Sequence, residues 1–442
     1  METKQKTTLT QGSVARGMLL FALPMMAGNL LQQFYNIADT LIVGRVLGSN
    51  ALAAVGSAYT LMTFLTSIFL GLSMGSGALF SIYKGKNDQD SLRSAIVHAF
   101  ALIMAVTVLL NVLVYIGIDP ILHFLRVPDE VWDGMKAYLL VIFAGIIATS
   151  LYNYFSCLLR ALGNSTIPLV FLAVSAVLNI GLDLLFVAVL PWGIRGAALA
   201  TVIAQYVSGI GITLYVLLKC RDLLPSGKDL HFNRQILDEI GNLSSITCIQ
   251  QSVMNFGILM VQGLVNSFGP VIMAAFAAAV KIDTFAYLPV QDFGNAYSTF
   301  IAQNYGAGKK ERIRRGTKES FLISFLFCIV ISAVVCIFAA PLMRIFVSAK
   351  ETAVIASGVR YLRIEGAFYC GIGCLFLLYG YYRAVKKPGM SVVLTVISLG
   401  TRVALAYILS AYIGETGIWM AIPIGWVLAD ITGLAYMKFQ EK

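Results

Sequence analysis

Two carboxylates stand inside stretches apolar enough to be buried: Asp39 in GNLLQQFYNIADTLIVG and Asp183 in AVSAVLNIGLDLLFVAVL. An ionisable group at the centre of a membrane helix costs about 2.5–3.5 kcal/mol on insertion scales, so each one needs a reason. Asn179 lies one helical turn before Asp183, on the same face. Gln32, Tyr35 and Asn36 share the face of Asp39, at i−7, i−4 and i−3. A span running outward from about residue 17 places Asp39 in its outer half, and one running outward from about 166 places Asp183 at similar depth. A span returning inward from about 196 brings Thr201 to that level. Carboxylate, amide and hydroxyl oxygens at one depth suit a hard cation such as Na+, or a proton shared by two acids. Asp39, Asn179, Asp183 and Thr201 are therefore expected to hold H+ or Na+, with Gln32, Tyr35 and Asn36 lining the adjoining cavity. The competing reading makes each Asp a helix-packing contact or sets it against lipid headgroups; the set taken together favours a site.

The second half carries a different group. The stretch VKIDTFAYLPVQDFGNA holds Lys281, Asp283 and Asp292. Lys281 and Asp283 are two residues apart and do not face each other on a regular helix. Pro289 can kink this span and let polar groups face a cavity, so Lys281, Asp283 and Asp292 are expected to line one. A cation-binding role for either Asp stands against internal pairing with Lys281 or Arg402. Arg363 and Glu365 form the next polar cluster.

These side chains need helices to position them, and the composition demands that the helices sit in lipid. The chain of 442 residues is 58% hydrophobic and 12% charged, with a mean hydropathy of +0.81. A soluble domain carries about 25% charged residues, so soluble enzyme classes are excluded. Helical spans are expected near 17–44, 52–82, 92–117, 135–158, 166–190 and 196–218, then near 240–266, 271–303, 319–343, 356–381, 389–412 and 415–437. The fold class is thus an all-α membrane protein with twelve transmembrane helices. An even number puts both termini on one side. The loops and ends on that side hold 22 Lys and Arg against 7 on the other. That asymmetry makes the termini cytoplasmic in a multi-pass protein of the inner (cytoplasmic) membrane. It also accounts for the net charge of +10 without nucleic acid as a partner.

The halves repeat. Gln32-Gln33 matches Gln250-Gln251 at an offset of 218; Leu52-Ala53-Ala54 matches Met273-Ala274-Ala275, and Gly85 matches Gly306, at 221. Arg160-Ala161…Pro168 returns as Arg383-Ala384…Pro388. Six spans per half make the repeats parallel, two bundles related by a pseudo-two-fold axis along the membrane normal. The expected division is 1–218 for the first bundle, 219–239 for a cytoplasmic connection and 240–442 for the second bundle. Such a molecule can work as a monomer.

Other motifs carry no chemistry. Gly71, Gly75 and Gly77 in GLSMGSG lie inside an apolar span, where small residues permit close helix packing rather than phosphate binding. GAGKK at 306–310 lacks the earlier Gly and the Ser/Thr of a nucleotide loop. His98, His123 and His231 are scattered, and there is no GxSxG elbow. The seven cysteines have no framework spacing and read as free thiols. No catalytic residue and no cofactor are expected.

The stretch Pro24…Gln32-Gln33…Asp39…Val43-Gly44…Leu47-Gly48…Ala51-Leu52-Ala53-Ala54 resembles the first helix pair of multidrug and toxic compound extrusion (MATE) transporters. So does Arg160-Ala161-Leu162-Gly163-Asn164-Ser165-Thr166…Pro168, followed by Leu178-Asn179…Asp183. Gly196-Ala197-Ala198…Ala200-Thr201 and Gln303-Asn304-Tyr305-Gly306-Ala307-Gly308 complete a match over nearly the whole chain. The resemblance implies two six-helix bundles forming a V around a central cavity, with alternating access. It implies secondary active export of amphipathic, often cationic compounds by antiport with H+ or Na+. By motif position, Asp39, Asn179, Asp183 and Thr201 correspond to the family's cation site in the N-terminal bundle, where Na+ or H+ binds. Tyr138 corresponds to a residue of that cavity, and Pro24 to the proline that lets the first helix bend. The NorM branch carries an acid in helix seven, whereas this span reads IQQSVMNFGILM. The helix-ten stretch LLYGYYRAVKKP also lacks an acid beside its Arg. The chain therefore resembles the DinF branch more closely.

One alternative belongs to the same superfamily, a lipid-linked oligosaccharide flippase. Its cavity needs several buried Arg or Lys to hold pyrophosphate, whereas the first bundle's interior here offers Asp39 and Asp183. The acids favour the antiporter.

Overall fold

The computed structural model describes residues 9–124, 129–223 and 232–440; the first residues, His231 and the middle of the 219–239 connection lie outside them. Among the described residues every regular element is helical. The first half comprises α1 (Val14–Leu47), α2 (Ser49–Lys86), α3 (Gln89–Ile116), α4 (Ile118–Phe124), α5 (Asp129–Ile142), α6 (Ile146–Ala161), α7 (Thr166–Asp183) and α8 (Gly193–Lys219). The second repeats the order as α9 (Arg234–Asn266), α10 (Pro270–Gly306), α11 (Lys310–Ile337), α12 (Ala339–Phe346), α13 (Thr352–Gly366), α14 (Tyr369–Ala384), α15 (Pro388–Ile413) and α16 (Glu415–Gln440). Eleven of the described spans are long and apolar enough to cross a bilayer, and α13 with α14, bent by 52° at their junction, make a twelfth. At a rise of about 1.5 Å per residue, α2 and α10 are roughly 55 Å long, well beyond a hydrocarbon core of about 30 Å.

The duplication is written into the backbone. Left-handed residues at Gly48, Asn87, Gly163 and Gly193 recur at Gly269, Gly308, Lys386 and Gly414. The offset is 221 at three of these pairs and 223 at the other, matching the sequence repeat. Each of these residues turns the chain between two helices, where a positive φ favours glycine. Both halves also interrupt their fourth span. A 3-10 turn at Phe143–Gly145 links α5 to α6, and the bend at Ala367–Phe368 links α13 to α14. The span expected at 135–158 stays one crossing helix through its 3-10 turn, whereas the one expected at 356–381 is broken by the bend. The span expected at 319–343 is α11 followed by the short α12.

Two compact units result, and their division differs from the expected one. The N-terminal unit holds residues 23–248 and the C-terminal unit holds 9–22 with 249–442. The boundary therefore lies inside α9, beyond residue 240, because the first half of that helix belongs to the N-terminal core. There Ile236, Ile240 and Leu243 are buried with Leu79, Phe80 and Tyr154. Gly71 and Gly75 make this possible: a methyl at either position would stand 2.5 Å from the α-carbon of Cys248 or Ser244. The GLSMGSG stripe is a packing seam, as its spacing suggested.

The opposite exchange occurs at the start of the chain. The Leu9 N–H donates to Gln303 Oε1 (3.2 Å), Lys309 Nζ donates to the Thr10 carbonyl (2.9 Å), and Arg312 Nη2 donates to the Gln11 carbonyl (2.8 Å). Met18 Sδ accepts the Ser320 hydroxyl at 3.2 Å. Pro24 stands two residues beyond the point where α1 passes from one unit to the other. Having no N–H, it leaves the Leu20 carbonyl without its helical donor and weakens α1 there.

Candidate cation site

In the N-terminal unit, α1, α7 and α8 bring the four expected residues together. The Asp39 carboxyl from α1 lies close beside that of Asp183, the last residue of α7. Asp183 is 0% exposed and Asn179 2%, while Asp39 and Thr201 are half-buried. Asn179 Nδ2 donates to Thr201 Oγ1 at 3.2 Å, tying α7 to α8. Directly after Asp183 the backbone loosens into a π-helical turn, Leu184–Val189. Such turns are rare and recur at functional sites, because they rotate the preceding side chains out of the regular register.

The oxygens of this set are poorly satisfied. Asp39 Oδ1, both carboxylate oxygens of Asp183 and Asn179 Oδ1 are buried without a hydrogen-bond partner. Buried polar atoms are almost always paired. Four orphaned acceptors converging from two helices form a donor set for a hard cation, or for a proton on one carboxyl. Their chemistry fits Na+ as well as H+.

The expected lining residues divide. Tyr138, from α5, is buried within electrostatic reach of both Asp39 and Asp183. Tyr35 is hydrogen-bonded to Gln32 and lies near Asp39. Asn36 is half-buried and accepts the Thr40 hydroxyl on its carbonyl at 2.7 Å.

In the C-terminal unit, Lys281, Asp283 and Asp292 do not line one cavity. Residues two apart on a helix differ by about 200° in direction and residues nine apart by about 180°. Lys281 is exposed in a cavity of about 600 Å³ lined also by Pro270, Ala274, Phe346 and Glu351. Asp283 points elsewhere and is buried against α13, α14 and α15, and Asp292 is buried farther along α10. Tyr361 donates its hydroxyl to Asp283 Oδ2 (3.2 Å), and Tyr369 donates to Asp283 Oδ1. The Glu365 carboxyl contacts Asp283, and the Arg402 charge lies within electrostatic reach of both acids. Among the described residues Asp283 forms an ion pair with neither Lys281 nor Arg402, and the Arg402 charge acts on it from a distance.

Asp430, on α16, escaped the sequence reading. It is buried beside the Cys374 thiol, with Oδ1 unpartnered. The signal was available, since Asp430 interrupts the apolar run IPIGWVLADITGLAYM as Asp39 interrupts its own.

Comparison with known proteins agrees with this architecture. A model of the MatE family matches residues 24–185 and again 246–408. The two matches start 222 residues apart, close to the repeat seen in the backbone. The chain is 29% identical to a protein of Bacillus subtilis (strain 168) named "Probable multidrug resistance protein YpnP", over 97% of this chain and 96% of that one. It is 25% identical to the Thermotoga maritima protein named "Probable multidrug resistance protein NorM", over 96% and 91%. A solved MOP superfamily transporter from Pyrococcus furiosus has the same fold, with a TM-score of 0.93 at 23% identity, over 100% of this chain and 98% of that one.

Proposed function

Because this chain belongs to the MatE family of transporters, we propose that it is a secondary active multidrug exporter of the inner membrane, with both termini cytoplasmic. It exports amphipathic, preferentially cationic compounds by antiport with H+ or Na+, works by alternating access as a monomer, and stands closer to the DinF branch than to the NorM branch. The names of its relatives support drug export. The observation that carries the coupling is the set of unpartnered buried oxygens on Asp39, Asn179 and Asp183.

Asp39 and Asp183 repel each other when both are ionised, and burial raises the cost of that state. With a proton or Na+ between them the repulsion is gone, and α1 can pack closely on α7 and α8. Without it, α1 is pushed away. Pro24 supplies the place for α1 to bend. Asn179 and Thr201 hold α7 to α8, so α1 is the element that moves. Ion occupancy thereby biases a two-state element, as coupling requires. Closing α1 shrinks the cavity of the N-terminal unit and favours substrate release; losing the ion reopens it.

The buried charge of this unit's site is acidic. Cationic substrates meet a counter-charge there, whereas a pyrophosphate-bearing lipid would meet repulsion. That repulsion disfavours a flippase of pyrophosphate-linked lipids. Dye efflux from proteoliposomes under separately imposed H+ and Na+ gradients tests the proposal. Efflux is expected under at least one gradient, and its absence under both overturns the antiport.

A further inference from the structure

The C-terminal unit contains a second set of buried acids that the coupling scheme above leaves unused. Asp283 on α10 and Glu365 on α13 are 2% and 3% exposed, and their carboxyl groups are in contact. Two carboxyl groups can share a hydrogen bond only if one of them carries a proton, since an ionised carboxylate has no donor. Both Asp283 oxygens already accept tyrosine hydroxyls, from Tyr361 and Tyr369. Glu365 Oε2 is buried without a hydrogen bond, although the Tyr361 hydroxyl also lies within reach of the Glu365 carboxyl.

Every charged or titratable group facing the pair can be named. Tyr361 comes from α13, Tyr369 from α14, Tyr287 from α10 and Arg402 from α15, with Cys336 of α11 beside Tyr369. Arg402 is the one cation among them. With both acids ionised the group carries an excess of one negative charge, and one proton cancels it. An uncompensated charge in this environment is costly. Na+ is the poorer candidate because the guanidinium repels it and both tyrosine hydroxyls turn their hydrogens toward Asp283.

The site is not a copy of the one in the N-terminal unit. At the backbone offset of 221 the counterpart of Asp283 is Met62, and at 221–223 that of Glu365 falls among Ile142, Phe143 and Ala144. Conversely, the counterpart of Asp183 falls among Ala404, Leu405 and Ala406. Duplication alone does not account for acids that each half places on different helices.

The geometry points to a proton-binding site wholly inside the C-terminal unit, in which Asp283 and Glu365 hold one proton between them and Arg402 is the fixed counter-charge. This does not rest on the export reading, and its test needs no transport. Infrared difference spectra of the full-length protein in liposomes at neutral pH report the C=O stretch of protonated carboxyl groups. Glu365→Gln is expected to remove one carboxylic-acid absorption. Asp283→Asn is expected to remove it too, although Glu365 is still present, because Glu365 then ionises against Arg402. Arg402→Gln is expected to add one. The loss must also be seen when Glu365→Gln is made in an Asp39→Asn background, which separates this proton from any at Asp39 and Asp183. An Asp283→Asn spectrum that shows no loss of carboxylic-acid absorption relative to the parent, in the same Asp39→Asn background, overturns the shared proton, and should Glu365→Gln fail to insert, Asp283→Asn decides alone.

Discussion

The two units solve the same problem, a pair of acids in lipid, in opposite ways. In the C-terminal unit Asp283 and Glu365 are surrounded by Tyr361, Tyr369 and Arg402, so most of their charge and hydrogen-bonding demand is met by the protein. In the N-terminal unit Asp39 and Asp183 have no cation beside them, and three of their four oxygens are buried without partners. Arg402 and Asn179 occupy equivalent places on α15 and α7, 223 residues apart, which is the offset between Gly163 and Lys386. One half has a built-in cation where the other has an amide. On the proposed reading, the site lacking an internal counter-ion is the one that takes an external ion.

The hardest test of this contrast is to remove a charge from the open pair. Asp183→Asn and Asp39→Asn should insert and fold, since Asn matches the protonated acid in size. Each should reduce gradient-driven efflux to the level of protein-free liposomes, as the site can no longer change charge. Purified variant protein that still concentrates dye at the parental rate would clear Asp39 and Asp183 of the coupling role.

A second test converts one site toward the other. Asn179→Arg gives the N-terminal pair its own cation, as α15 gives the C-terminal pair Arg402. The thermal stability of the purified protein should then lose its response to Na+ or to acidification, and efflux should lose its dependence on the gradient. Retention of either dependence would mean that charge balance is not what the ion provides.

Asp283→Asn should have a smaller effect, at most about tenfold in efflux rate, or about 1.4 kcal/mol. It leaves Glu365 within electrostatic reach of Arg402 and the N-terminal site untouched. A loss as complete as that of Asp183→Asn would move the coupling ion to the C-terminal unit. The smallest expected effect is on substrate charge. A lipophilic cation should be exported a few-fold faster than its neutral analogue, and equal transport of an anionic dye would contradict an acidic cavity.

Much of this was legible in the sequence because the signals are local. Apolar runs of about 20 residues define spans, and an Asp within one is visible whatever the rest of the chain does. Asn179 and Asp183 share a face by helical periodicity, and Asp39, Asp183 and Thr201 share a depth by counting along spans of known direction. Depth on three helices was enough to assemble the N-terminal group. The same reasoning failed for Lys281, Asp283 and Asp292, which lie on one helix. Rotation turns Asp283 away from the other two, and about 16 Å of helical rise separates Lys281 from Asp292; nearness in sequence concealed both. Glu365 and Arg402 stood out as intramembrane charges, yet nothing local says that α13 and α15 turn them toward α10.

The residues by themselves determined that this chain is a duplicated, twelve-span helical protein with acids in its membrane interior, since hydropathy, periodicity and repeat spacing depend on neighbours along the chain. The tertiary structure alone decided that α9 is shared between units, that Asp283 meets Glu365, Tyr361 and Tyr369 rather than Lys281, and that one acid pair receives protein donors while the other does not. Those outcomes depend on helix rotation and on packing between segments up to a hundred or more residues apart, which the pattern along one helix does not encode.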